Sequence, residues 1–117
     1  MNETMIQDME IWDRIVEMAM YGFSLTSRLR EKYRYRIAES LQQAVLGFYL
    51  NIADGPGADS GDPGPDALTV ARRSLLDTAY ILTLLRERKL VSARMAGFMV
   101  PRLEALSLEI ERYRPTA

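Results

Sequence analysis

The chain has 117 residues, near the common size of one domain and long enough to bury a core without disulfide or metal staples. Hydrophobic residues make up 48% and charged residues 26%, the balance of a globular rather than a disordered protein, and the formal net charge is −1. Cys and His are both absent, which excludes disulfides, zinc thiolates, thiol nucleophiles, the commonest general base and the Glu-x-x-His pairs of di-metal bundles. The chain is therefore expected to be non-enzymatic, with no catalytic residue, metal or cofactor.

Its first 13 residues carry the acids Glu3, Asp8, Glu10 and Asp13 and no base, the opposite of a signal peptide's start. No apolar run approaches the ~18 residues of a membrane span, so a cytoplasmic protein without membrane association is expected. Met5, Met9, Trp12, Val16, Ala19 and Phe23 step by threes and fours, predicting a helix over about 4–28 with Trp12 on its buried stripe. Ile37, Leu41, Ala44, Val45, Phe48 and Ile52 predict a second helix over 32–53, which Gly55, Pro56 and Gly57 end.

Residues 54–66 hold four Asp, four Gly and three Pro with no base, the composition of a solvated acidic loop. Asp66 can then cap a third helix over 66–89, with Leu68, Ala71, Leu75, Ala79, Leu82 and Leu85 on its apolar stripe. Ser92 reads as the cap of a fourth helix over 92–112, in which Met95, Met99, Leu103, Leu106 and Ile110 share a face and Pro101 should introduce a bend. Four helices joined by two short turns and one longer loop predict an all-α, antiparallel up-down four-helix bundle, a single domain over 1–117.

Residues 44–53 contain one polar side chain in ten, and 18–23 and 78–85 share that apolar excess, more than a helix packed on one side requires. The expected reason is self-association, with Val45, Phe48, Tyr49, Tyr80 and Leu84 at the oligomer interface. The alternative is a thick core within one chain.

Charge is unevenly placed. The first turn gathers Arg28, Arg30, Lys32, Arg34 and Arg36 against Glu31, and the last gathers Arg86, Arg88, Lys89 and Arg94 against Glu87. In an up-down bundle both turns lie at one end, giving it a net +7, while Glu3, Asp8, Glu10, Asp13, Asp54, Asp59, Asp62 and Asp66 make the other end acidic despite Arg72 and Arg73. A helix of ~20 residues spans ~30 Å, several times the ~8 Å screening length at physiological salt, so the two fields act separately.

Tyr33 and Tyr35 interleave with the first basic run, a composition suited to phosphate contact plus base stacking on single-stranded nucleic acid. The plainer reading is a solvated face, with cations favoured at helix C-termini by the macrodipole. Lys32, Arg34 and Arg36 precede or open a helix, where that dipole disfavours them. Glu104, Glu109 and Glu111 have no ligand spacing.

The motifs Met9-Glu-Ile-Trp12, Leu25-Thr26, Tyr35-Arg-Ile, Gln42-Gln-Ala, Asn51-Ile-Ala-Asp-Gly55, Arg73-Ser-Leu-Leu-Asp77 and Leu90-Val-Ser92 follow one another in an order that resembles a known family. That family comprises the four-helix proteins of 23S ribosomal RNA intervening sequences and the accessory variability determinant (Avd) proteins of diversity-generating retroelements. The resemblance implies a homopentamer of side-by-side bundles and, in the retroelement branch, an assembly that binds RNA and a reverse transcriptase. The chain departs from the accessory type in its near-neutral charge and its Gly-, Pro- and Asp-rich connection. The expected function is accordingly a non-enzymatic oligomeric accessory protein contacting RNA through its basic end. The alternative is a protein-only assembly module.

Overall fold

The computed structural model describes residues 9–53 and 65–112, which form four α-helices: α1 (Met9–Glu31), α2 (Tyr35–Ala53), α3 (Pro65–Glu87) and α4 (Ala93–Glu111). They are arranged in chain order around one core, each helix packed on the next, and α1 and α4 meet along a slighter seam that closes the ring. Two ion pairs fix the antiparallel sense. Arg14 Nη2, near the start of α1, lies 2.7 Å from Glu109 Oε2 near the end of α4, and Arg72 Nε of α3 lies 2.9 Å from Glu111 Oε2.

The described helix boundaries differ from the predicted ones by at most three residues where they can be compared, for reasons visible in the caps. α1 runs on to Glu31 because the Arg34 amide donates to the Leu29 carbonyl and the Tyr33 amide to the Arg30 carbonyl, the paired bonds of a Schellman cap. α3 ends the same way: the Leu90 amide donates to Leu85 O and the Lys89 amide to Arg86 O. α3 opens on Pro65, whose missing N–H is no loss in the first turn. α4 has the predicted cap, the Met95 amide donating to Ser92 Oγ at 3.0 Å, and continues helically through Pro101, which, like Gly97 one turn earlier, is exposed. Asp66, expected to cap α3, is instead the second residue of that helix, while Met5, the Met9 side chain and residues 54–64 lie outside the described residues and side chains.

The predicted stripes of α2, α3 and α4 are the buried ones, except that Ile37, Ala44 and Met95 sit at the margin. The stripe predicted for α1 is displaced by about one residue. Ile11, Ile15, Met18, Leu25 and Leu29 enter the core with Ala19, whereas Trp12, Val16 and Phe23 are only half-buried. α1 carries two adjacent apolar rows, and close approach to α2 selects between them: a Cβ on Gly22 would stand 2.6 Å from Val45 Cγ2, so the Gly22 side of α1 faces α2. The half-buried row packs along the edge of the α1–α2 contact instead, with Trp12 stacked on Tyr49 at 6.0 Å and Phe23 edge-on to the same ring at 6.4 Å.

The interface assignment requires a second correction. Val45 and Phe48 are 0% exposed and belong to the core, so neither is free to meet another chain, and Tyr49 is half-buried with its ring against Trp12 and Phe23. α2 packs against α1 on one side and α3 on the other, where Gly47 admits Ser74 closely. Being flanked twice, it absorbs its apolar excess within one chain and leaves only Leu50 exposed among residues 44–52. Tyr80, 66% exposed, and Leu84 remain at the surface as expected, joined by Leu76 one turn earlier.

Candidate nucleic-acid interface

The two basic turns meet at one end of the bundle. Leu25, Arg28, Leu29 and Lys32 from the first turn and Lys89, Leu90, Val91, Ser92 and Met95 from the second line a common groove of about 330 Å³. A larger groove of about 650 Å³ lies on the other side of Leu90, between the start of α2 and the end of α3. Its rim carries Arg34, Arg36 and Arg88, and Ile37, Ile81, Leu84 and Leu90 make an apolar floor. Leu90 thus forms a wall of both grooves.

Each turn contains a non-glycine residue in the left-handed region: Tyr33 at φ 61° and Lys89 at φ 60°. Both occupy the position after the helix cap where glycine is usual, and a side chain there costs about 1 kcal/mol. Backbone strain of this kind is concentrated at working surfaces. Here it coincides with exposure: Tyr33 is 81% exposed, and its ring meets that of Tyr35 edge to face at 6.1 Å. Two aromatic faces therefore stand in solvent amid the cations.

The electrostatics are less even than the charge count. Arg30 turns back onto α2, where its guanidinium donates to Gln42 and lies 3.2 Å from Glu39 Oε2. Among the described residues, Arg28, Lys32, Arg34, Arg36, Arg86, Arg88, Lys89 and Arg94 take no ion-pair partner, and all are exposed. Arg34 occupies the N-cap of α2, its carbonyl accepting from the Ala38 amide at 2.9 Å. Its guanidinium, a donor only, offers the first-turn N–H groups no acceptor, so cationic side chains add to the positive end of the helix dipole. Arg86 and Arg94 flank this end without lining either groove.

At the opposite end, the described acids Glu10, Asp13, Glu109 and Glu111 are matched in number by Arg14, Arg72, Arg73 and Arg112. The acidic excess expected there rests on Glu3, Asp8, Asp54, Asp59, Asp62 and Asp66, which lie outside the described residues and side chains. Among the described residues no group of three or more His, Cys, Asp or Glu could hold a metal ion, and no helix is long and apolar enough to cross a membrane.

Sequence reasoning named the bases and tyrosines but missed Leu90, Ile81 and Ser40 as groove walls. An isolated Leu or Ser carries no signal of its own, and the grooves exist only where α2, α3 and the last turn converge. The strain at Tyr33 and Lys89 was also hidden, because the usual marker of a left-handed cap is a glycine and neither turn has one. No protein family, curated protein or solved structure matches this chain.

Proposed function

We propose that this protein is a non-enzymatic, self-associating RNA-binding accessory protein whose basic end carries the nucleic acid. The observation that bears most weight is the set of eight exposed bases without an acidic partner around the paired rings of Tyr33 and Tyr35. Unpaired cations suit a phosphate backbone, and exposed aromatic faces suit the unstacked bases of a single strand. Cations at the start of α2 and side chains in left-handed turns both oppose stability, so a fold optimised for stability alone would have neither. A reverse transcriptase as protein partner enters this reading through the resemblance to retroelement accessory proteins.

The test is fluorescence anisotropy with labelled single-stranded RNA. Binding at about 50 mM salt should weaken steeply as salt rises, and reversing both Arg34 and Arg36 to Glu should abolish it. Absence of binding by the unaltered protein at low salt would leave the second reading, a protein-only assembly module. That reading is favoured by a specific feature: Leu76, Tyr80 and Leu84 occupy successive turns on the outer face of α3, an exposed apolar row of the kind that pairs copies.

A further inference from the structure

We infer that the larger groove, between the start of α2 and the end of α3, seats one unstacked nucleotide of the bound strand. Its base would lie on the apolar floor and its phosphate on the arginines of the rim. The inference rests on the RNA-binding reading and deepens it by separating where a base is held from where the backbone passes.

Three features single this groove out. At about 650 Å³ it sits well inside the range of small-molecule sites, roughly 300–1,000 Å³, and is about twice the size of the neighbouring groove, which lies at the lower edge of that range. Ile37, Ile81, Leu84 and Leu90 give it a floor with no ionisable group, suited to the face of a base and poorly suited to a phosphate. Arg34 and Arg36 come to its rim from the start of α2 and Arg88 from the end of α3, and none has an acid partner among the described residues.

The two rims also differ in kind. Guanidinium groups are planar forks that grip a phosphate through two bonds and lie flat on a base. Arg28, Lys32 and Lys89 beside the smaller groove include two ammonium groups, mobile point charges that follow a backbone without fixing a nucleotide. A strand crossing Leu90 would pass from one environment to the other.

The experiment compares a single-stranded RNA 12-mer with an abasic ribose-phosphate 12-mer of equal charge, each titrated against the protein and two variants. Ile37→Gln makes the floor polar at a half-buried position outside the Leu76, Tyr80 and Leu84 row, and Ser40→Leu narrows the mouth from the exposed side of α2; neither alters the net charge. The unaltered protein should bind intact RNA more than tenfold more tightly than the abasic strand, because the groove and the rings of Tyr33 and Tyr35 each contribute base contact. Each variant should lose about tenfold of that preference, the share of one base contact, while keeping its abasic affinity and salt dependence.

Equal affinity of the unaltered protein for the two strands would overturn the inference and leave RNA binding through phosphates intact. A preference that both variants keep undiminished would overturn it too, placing all base contact elsewhere, as on Tyr33 and Tyr35. If neither strand binds, the RNA-binding reading itself falls. Should Ile37→Gln fail to give a cooperative melt, Ser40→Leu decides the question alone.

Discussion

Gly22 and Val45 bring α1 and α2 together so closely that a Cβ on Gly22 would stand 2.6 Å from Val45 Cγ2. Val45 is β-branched and fully buried, so it has little freedom to give way. Gly97, in the middle of α4, would meet nothing within 4 Å. The two glycines should therefore respond to alanine with opposite signs. Gly22→Ala should destabilise by about 1–3 kcal/mol through overpacking, despite the better helix propensity of alanine, and Gly97→Ala should stabilise by about 0.5–1 kcal/mol. Urea denaturation of both variants checks this, and a stabilised Gly22→Ala would mean that the α1–α2 approach is looser than described.

Replacing Tyr33 or Lys89 by glycine should raise stability by up to about 1 kcal/mol each, because glycine adopts the left-handed conformation without steric cost. Tyr33→Gly should at the same time weaken RNA binding, since it removes one of the two exposed rings. Thermal melts paired with anisotropy would show stability and binding moving in opposite directions. A variant that loses both would show that Tyr33 also supports the turn.

Trp12 is half-buried and stacked on Tyr49, whereas Ile15 is 0% exposed. Trp12→Ala should cost about 2 kcal/mol, below the roughly 3–5 kcal/mol of a core aromatic, and Ile15→Ala about 2–5 kcal/mol despite removing fewer atoms. Equal or reversed ranking by chemical denaturation would restore the stripe read from the sequence.

Arg30 and Arg36 carry the same charge but should contribute unequally to RNA binding. Arg30 is engaged by Glu39 and Gln42, and Arg36 takes no ion pair among the described residues. Arg36→Gln should reduce the log-log salt slope by about 0.7, the value for one phosphate contact on a single strand, and Arg30→Gln should change it less. Because the Arg30 pair is exposed, its loss should move the melting temperature little. Anisotropy titrations over a salt series would detect the difference.

Self-association should give a mass in multiples of 13.3 kDa by light scattering, a pentamer by resemblance. Tyr80→Glu, at an exposed position of α3, should return it to 13.3 kDa without unfolding the chain. A 13.3 kDa species for the unaltered protein at micromolar concentration would remove the oligomer from the proposal.

Much of the architecture was legible because the determining interactions are local in sequence. The 3.6-residue period marks a helix wherever it occurs, Ser92 caps whichever helix follows it, and short turns force neighbouring helices to run antiparallel. From these features alone, the basic runs at 28–36 and 86–94 had to share one end. Tertiary structure decided what depends on neighbours. It chose Ile15 over Trp12 as the inward residue of α1, because both rows have the right period and only Val45 against Gly22 distinguishes them. It took Val45 and Phe48 from the expected interface into the core, because α2 is covered from two sides. It turned Arg30 onto Glu39 and made the grooves beside Leu90 from segments more than 40 residues apart. Periodicity records that a side chain is apolar or charged; which surface it meets follows from the shapes that pack beside it.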